Sequence, residues 1–114
     1  EERVDLAGVL KDEAEENRFL LVDCLTLWLS NILFDRKGHL QLSRFESEKK
    51  ALLETLERLP GHIALVSNEI GQGVVPLGET TRRFVDEAGR LHQELAQICD
   101  RVVLVTAGLP QVLK

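Results

Sequence analysis

Three short runs of apolar residues stand out along the chain, and none of them alternates apolar with polar positions. They occupy residues 19–24, 62–68 and 101–106. An uninterrupted apolar run of this length is typical of a strand covered on both faces, as in a parallel sheet flanked by helices. The pattern therefore predicts three buried strands.

The segments between these runs have apolar residues at helical spacing. The segment 25–34 is apolar almost all round, which indicates a buried helix. Ser43 and Glu46 have the spacing of a capping box at the start of the next helix, which Pro60 ends. Strands that alternate with helices predict one α/β domain over residues 1–114. The four predicted helices span residues 4–16, 25–34, 43–59 and 80–99.

The composition excludes several classes of protein. Hydrophobic residues make up 44% and charged residues 29% of the chain, as in an ordinary globular domain. The net charge of -5 argues against binding to nucleic acid or to an anionic membrane surface. No apolar run approaches the ~18 residues of a membrane span. Cys24 and Cys99 lack metal-ligand spacing, so we expect buried, reduced thiols and a cytoplasmic protein.

Asp23 is the first candidate functional residue, because it ends an apolar run. Ligands bind beyond the carboxyl ends of the strands in open α/β sheets. An apolar strand that ends in an acid has the form of a Walker B segment, whose carboxylate orients Mg²⁺ or its waters beside bound phosphates. An Asp at this place also caps the helix that follows. The residues leave both roles open.

The second candidate is the loop at residues 67–78, in which polar residues end a predicted strand and Gly71 and Gly73 follow. Glycine permits positive φ and the close approach of a ligand. The same residues also fit a plain strand-to-helix connection with two tight turns. His39, His62 and His92 have no Ser, Cys or metal-ligand partner at useful spacing, so we expect structural roles for them.

Two segments carry a family resemblance. Residues 20–31 (LLVDCLTLWLSN) and 66–76 (VSNEIGQGVVP) resemble the signatures of the adenosylcobinamide kinase / adenosylcobinamide-phosphate guanylyltransferase family, and residues 82–93 and 105–110 are similar as well. The resemblance covers almost the whole chain in the expected order. It implies a P-loop NTPase-like (RecA-like), mostly parallel sheet with flanking helices, and a homotrimer.

The resemblance also implies a function in cobalamin biosynthesis. Such enzymes phosphorylate adenosylcobinamide with a nucleoside triphosphate, ATP or GTP. They then transfer GMP from GTP through a guanylylated histidine, giving adenosylcobinamide-GDP. Mg²⁺ is expected at the nucleotide site, and no prosthetic group is expected.

The resemblance assigns roles to several positions. Asp23 corresponds to the acidic, metal-binding residue of the nucleotide site, and Glu1 to a glutamate that contacts the guanine nucleotide. The remaining matched residues belong to the rim of the site or to a subunit contact: Asn68, Glu69, Gly71 and Gly73.

Other parts of the family pattern are absent from this sequence. No G-x-x-x-x-G-K-[ST] motif and no Met occur, and none of the three histidines matches the guanylylated one. We therefore expect the nucleophile, the P-loop lysine and a central first strand to lie upstream, with the fold incomplete at the amino terminus and apolar surface exposed. Two alternatives remain: a non-catalytic module for assembly or for corrinoid or nucleotide binding, and an unrelated doubly wound binding domain.

Overall fold

A computed structural model describes residues 5–70 and 78–114 of the chain. The three predicted strands and four predicted helices are all present, with slightly different ends, and one further strand follows them. In chain order the elements are α1 (Leu6–Glu13), β1 (Phe19–Asp23), α2 (Leu25–Leu33), α3 (Leu42–Leu56), β2 (His62–Val66), α4 (Glu79–Ile98), β3 (Val103–Thr106) and β4 (Leu109–Val112).

The strands β1 and β2 form a parallel pair, with α2 and α3 in the connection between them. Phe19 lies opposite His62 at the start of the pair, and Asp23 lies opposite Val66 at its end. The carboxyl ends of both strands therefore lie side by side, which is where an α/β protein binds its ligand. The predicted α/β class is confirmed.

The hydrophobic core lies among the four helices and against one face of the β1–β2 pair. Leu20, Val22 and Leu65 pack against this core from the strands. No helix within the described ranges is long and apolar enough to cross a membrane. The buried core residues are Leu6, Leu10, Leu25, Trp28, Leu29, Ile32, Leu33, Phe45, Leu52, Ala88, Leu91 and Leu95.

The opposite face of the β1–β2 pair is exposed. Successive strand residues point to opposite faces, so Leu20 and Val22 reach the helices while Phe19 and Leu21 point away from them. Phe19 is 64% exposed and Leu21 is 63% exposed, and no described element covers them. The prediction of strands buried on both faces is therefore wrong here, whereas the expectation of exposed apolar surface is confirmed.

The third predicted strand, β3, does not join the parallel pair. It pairs antiparallel with β4, and within the described residues the two sheets share no strand. Ala107 and Gly108 connect β3 to β4, with φ angles of 54 and 76. Positive φ at both central residues is the geometry that closes a tight hairpin. The prediction of a mostly parallel sheet is therefore wrong for this strand, because the turn favours its nearest neighbour in sequence.

The predicted capping box is not formed. The helix α3 begins one residue before Ser43, and its amino-terminal cap, Gln41, makes no side-chain bond to the helix. Gln41 instead turns back to the end of α2 and ties the two helices together. Its Nε2 donates to the carbonyl oxygens of Asn31, Ile32 and Phe34, at 3.1, 3.0 and 3.3 Å.

Candidate functional site

Asp23 lies at the carboxyl end of β1 with its side chain exposed. The peptide bond between Asp23 and Cys24 is cis. The helix α2 is capped at Cys24 without a side-chain hydrogen bond, and in the described part of the chain the Asp23 carboxylate makes no hydrogen bond or ion pair. Asp23 is therefore not the cap of α2, and its carboxylate is accessible to a ligand.

A hydrogen-bonded group of side chains joins the ends of β1 and β2. Asn68, two residues after the end of β2, donates from Nδ2 to Thr26 Oγ1 at 3.2 Å. Thr26 Oγ1 in turn lies 2.6 Å from Cys24 Sγ. The Thr26 side chain is almost buried, at 8% exposure, whereas Asn68 is exposed. The first turn of α2 thus links Asn68 to the residue that follows Asp23.

A second contact fixes the end of β2 from the other side. Ser67 Oγ lies 2.6 Å from His92 Nε2, and His92 belongs to α4. Spacing along the sequence did not indicate this serine partner of His92, for which a structural role was expected. The two residues are 25 positions apart in the chain, and only the packing of α4 beside β2 brings them together.

The two cysteines have opposite environments. The Thr26 hydroxyl, and after it the backbone N–H of Leu27, hydrogen-bond to the Cys24 sulfur and lower the pKa of this thiol. Burial raises the pKa of the Cys99 thiol. Both cysteines are free, as expected, but each is only half-buried. The pKa of the Cys24 thiol, next to the candidate site, is therefore lower than that of the Cys99 thiol.

The other two histidines lie away from Asp23. His62 opens β2 and stacks on Phe19, with 6.5 Å between the ring centroids. A five-residue strand separates it from the carboxyl end by about 13 Å. His39 Nδ1 lies 3.7 Å from Asp35 Oδ2 in an exposed loop. These positions of His62 and His39 are compatible with the structural roles expected of them.

The described residues contain no group of three or more His, Cys, Asp or Glu that could hold a metal ion by themselves. Mg²⁺ does not need such a group, since it keeps several waters and takes one or two carboxylates together with substrate phosphates. The exposed carboxylate of Asp23 at a strand end fits this requirement.

A cavity of about 250 Å³ lies beside Asp23, between α1, β1 and α2. It is smaller than the roughly 300–1,000 Å³ of typical ligand pockets, so it does not enclose a nucleotide. Its walls are mostly apolar, and Asp23 and Cys24 of the candidate site form part of them. The other lining residues are Leu6, Val9, Leu10, Glu13, Leu20, Leu21, Val22, Leu27, Trp28 and Asn31.

The structure brings Asp23 and Asn68 to one edge of the β1–β2 pair, with Glu69 exposed just after Asn68. Glu1, Gly71 and Gly73 lie outside the described residues. Reasoning from sequence missed Thr26 and His92. Thr26 lies inside the segment 20–31 that carries the family resemblance, so its position was a usable signal. Nothing in the local pattern singles out His92.

Comparison with known proteins gives one consistent result. The model of the family described as "Cobinamide kinase / cobinamide phosphate guanyltransferase" matches residues 1–113. The chain is 57% identical over 114 residues to the bifunctional adenosylcobalamin biosynthesis protein CobP of Pseudomonas aeruginosa, and the match covers the whole chain and 64% of that relative. It is 33% identical over 118 residues to the bifunctional adenosylcobalamin biosynthesis protein CobU of Escherichia coli, covering 96% of the chain and 65% of that relative. The chain thus spans slightly less than two thirds of the length of these relatives.

Proposed function

Because the chain belongs to the cobinamide kinase / cobinamide phosphate guanyltransferase family, we propose that it is part of a bifunctional transferase of cobalamin biosynthesis. The first proposed reaction transfers a phosphoryl group from ATP or GTP to adenosylcobinamide. The second transfers GMP from GTP to adenosylcobinamide phosphate and yields adenosylcobinamide-GDP. The observation that carries the proposal is the accessible Asp23 carboxylate at the carboxyl ends of two parallel strands, the edge at which Asn68 also lies.

Asp23 is the proposed metal-binding residue of the nucleotide site. Bound Mg²⁺ would neutralise charge on the phosphates of the nucleotide. Asp23 supplies a negative charge at a strand end, where the pairing of β1 with β2 positions its backbone. The Asn68 amide lies at the neighbouring strand end. Asn68, Glu69, Gly71 and Gly73 are proposed to belong to the rim of the site or to a subunit contact.

The guanylylated histidine is proposed to come from outside these 114 residues, as is the P-loop lysine. Three features of the described residues support this division. His62 lies at the amino end of its strand, His39 lies in an exposed loop, and His92 is engaged with Ser67. Covalent catalysis through histidine needs an accessible ring nitrogen beside the nucleotide.

The finer architecture is also proposed. A P-loop NTPase-like sheet is supported by the parallel β1–β2 pair with an acid at its carboxyl end. Assembly into a homotrimer is proposed as what the family resemblance implies. Glu1 is proposed to contact the guanine nucleotide. A cytoplasmic location is supported by two free cysteines.

The experiment uses the complete gene product and three proteins: the unaltered protein, Asp23→Asn and Asp12→Asn. Asp12 is an exposed residue of α1 and serves as the matched control. Kinase activity is measured as phosphate transfer from γ-labelled ATP or GTP to adenosylcobinamide. Guanylyl transfer is measured as covalent label from α-labelled GTP. We expect Asp23→Asn to lower the kinase rate by on the order of 100-fold and Asp12→Asn to leave it unchanged.

Two results would contradict the proposal. Full kinase activity in Asp23→Asn would remove the assigned role of the carboxylate. Covalent label on His39, His62 or His92, located by peptide mapping, would overturn the division of roles. An unaltered protein without either activity would instead favour the alternative, a non-catalytic module for assembly or for corrinoid or nucleotide binding.

A further inference from the structure

Thr26 occupies a central place between the two strand ends. It lies in the first turn of α2, three residues after Asp23, the last residue of β1 that pairs with β2. Its hydroxyl is within hydrogen-bond distance of both Cys24 Sγ, at 2.6 Å, and Asn68 Nδ2, at 3.2 Å. One nearly buried hydroxyl therefore contacts the chain after β1 and the chain after β2.

The chemistry of these groups determines the direction of the bond between Asn68 and Thr26. An amide nitrogen can only donate, so Thr26 Oγ1 accepts from Asn68. The single hydroxyl proton of Thr26 is then available for the sulfur of Cys24. Rotation of the Thr26 side chain would break both contacts.

The same strand end is held from the α4 side by the contact between Ser67 and His92. Consecutive residues after β2 are thus anchored to different helices, Ser67 to α4 and Asn68 to α2. Without the bond to Thr26, the exposed Asn68 side chain has no other described anchor and can sample its other rotamers.

We propose that Thr26 is a positioning residue for the transfer reactions: its hydroxyl holds the Asn68 side chain at the edge of the β1–β2 pair that carries Asp23, without touching the substrate. This inference rests on the proposed function, because it assigns the joined strand ends to the nucleotide site. The inference adds to that function a specific role for the Thr26 hydroxyl, in the first turn of α2, which orients the Asn68 side chain.

The test uses the complete gene product with Thr26→Val, which has nearly the same shape but no hydroxyl, and Thr26→Ser, which restores the hydroxyl. Thr55→Val is the matched control, since Thr55 is a buried residue of α3 away from this edge. Loss of one neutral hydrogen bond corresponds to roughly a tenfold effect. We therefore expect kcat of Thr26→Val to fall about tenfold with KM for the nucleotide nearly unchanged. Thr26→Ser should recover most of the rate, and Thr55→Val should retain it.

A second readout does not depend on activity. The side-chain amide signals of Asn68 are assigned in an ¹H–¹⁵N spectrum by their loss in Asn68→Ala. They should shift in Thr26→Val and remain in place in Thr26→Ser and Thr55→Val. In addition, the rate loss of the Thr26→Val, Asn68→Ala double variant should not exceed that of Asn68→Ala alone, because both changes remove the same bond.

Several outcomes would overturn the inference. Unshifted Asn68 signals in Thr26→Val would show that the bond is absent. Shifted signals with an unchanged kcat would show a bond that has no positioning role. In both cases the unaltered protein is active, so the proposed function survives. An inactive unaltered protein would refute the proposed function and the role of Thr26 with it.

Discussion

Gly61 offers a quantitative test of how the entry to β2 is built. Its φ is +82, and an added Cβ would collide with the carbonyl oxygen of Glu15 and lie 2.7 Å from that of Arg18. Both are backbone atoms of the segment that leads into β1. His62 N also donates to Arg18 O at 3.2 Å, so this segment cannot move without disturbing the start of the strand pair.

Gly38 is the matched control, because its φ is +84 and an added Cβ would meet nothing within 4 Å. Gly38→Ala therefore isolates the backbone term, about 1–2 kcal/mol for a non-glycine residue in the left-handed region. Loss of unfolded-state entropy offsets roughly 0.4–1 kcal/mol of this. We expect Gly38→Ala to lower the free energy of unfolding by about 1 kcal/mol or less.

Gly61→Ala adds a steric cost to the same backbone term. Overpacking against atoms that cannot relax typically costs about 1–3 kcal/mol. The expected loss in the free energy of unfolding is therefore about 2–4 kcal/mol. Urea unfolding followed by circular dichroism measures the difference between the two variants, with equal slopes confirming a comparable unfolded state. Equal losses for Gly61→Ala and Gly38→Ala would refute the close approach of residues 15–18 to Gly61.

Two further predictions concern side chains. At about pH 8, iodoacetamide should alkylate Cys24 faster than Cys99, because the Thr26 hydrogen bond lowers the pKa of Cys24 while burial raises that of Cys99. The labelling rates are measured by mass spectrometry. Faster labelling of Cys99 would contradict this prediction. Glu87 is 5% exposed and accepts through Oε2 from Arg83 Nε at 3.1 Å and Arg90 Nη1 at 3.0 Å. Glu87→Gln should therefore destabilise the protein by about 1–2 kcal/mol, reduced from a fully buried pair because both arginines are partly exposed. The exposed control Glu54→Gln should stay within about 0.5 kcal/mol in the same urea assay.

Asp23 and the residues around it illustrate what the sequence by itself determined. The apolar run at residues 19–24 predicts a strand because the order of apolar residues is a local property of the sequence. Its position before a helical pattern then puts Asp23 at the carboxyl end of that strand. The signature segments identify the family from the order of residues alone, and the family model confirms it. The α/β class, the four helices and the placement of Asp23 and Asn68 at strand ends were therefore accessible without coordinates.

The tertiary structure determined which strands pair and which side chains contact each other. An apolar run does not specify which strand it pairs with, and β3 joined β4 because the turn at Ala107 and Gly108 closes a hairpin. Periodicity also gave no sign that Phe19 and Leu21 would be exposed, since exposure depends on which elements cover a face. The contacts of Thr26 with Asn68 and of Ser67 with His92 join residues 42 and 25 positions apart. Such hydrogen bonds depend on how helices pack against strand ends, and the pattern within either segment does not contain that information.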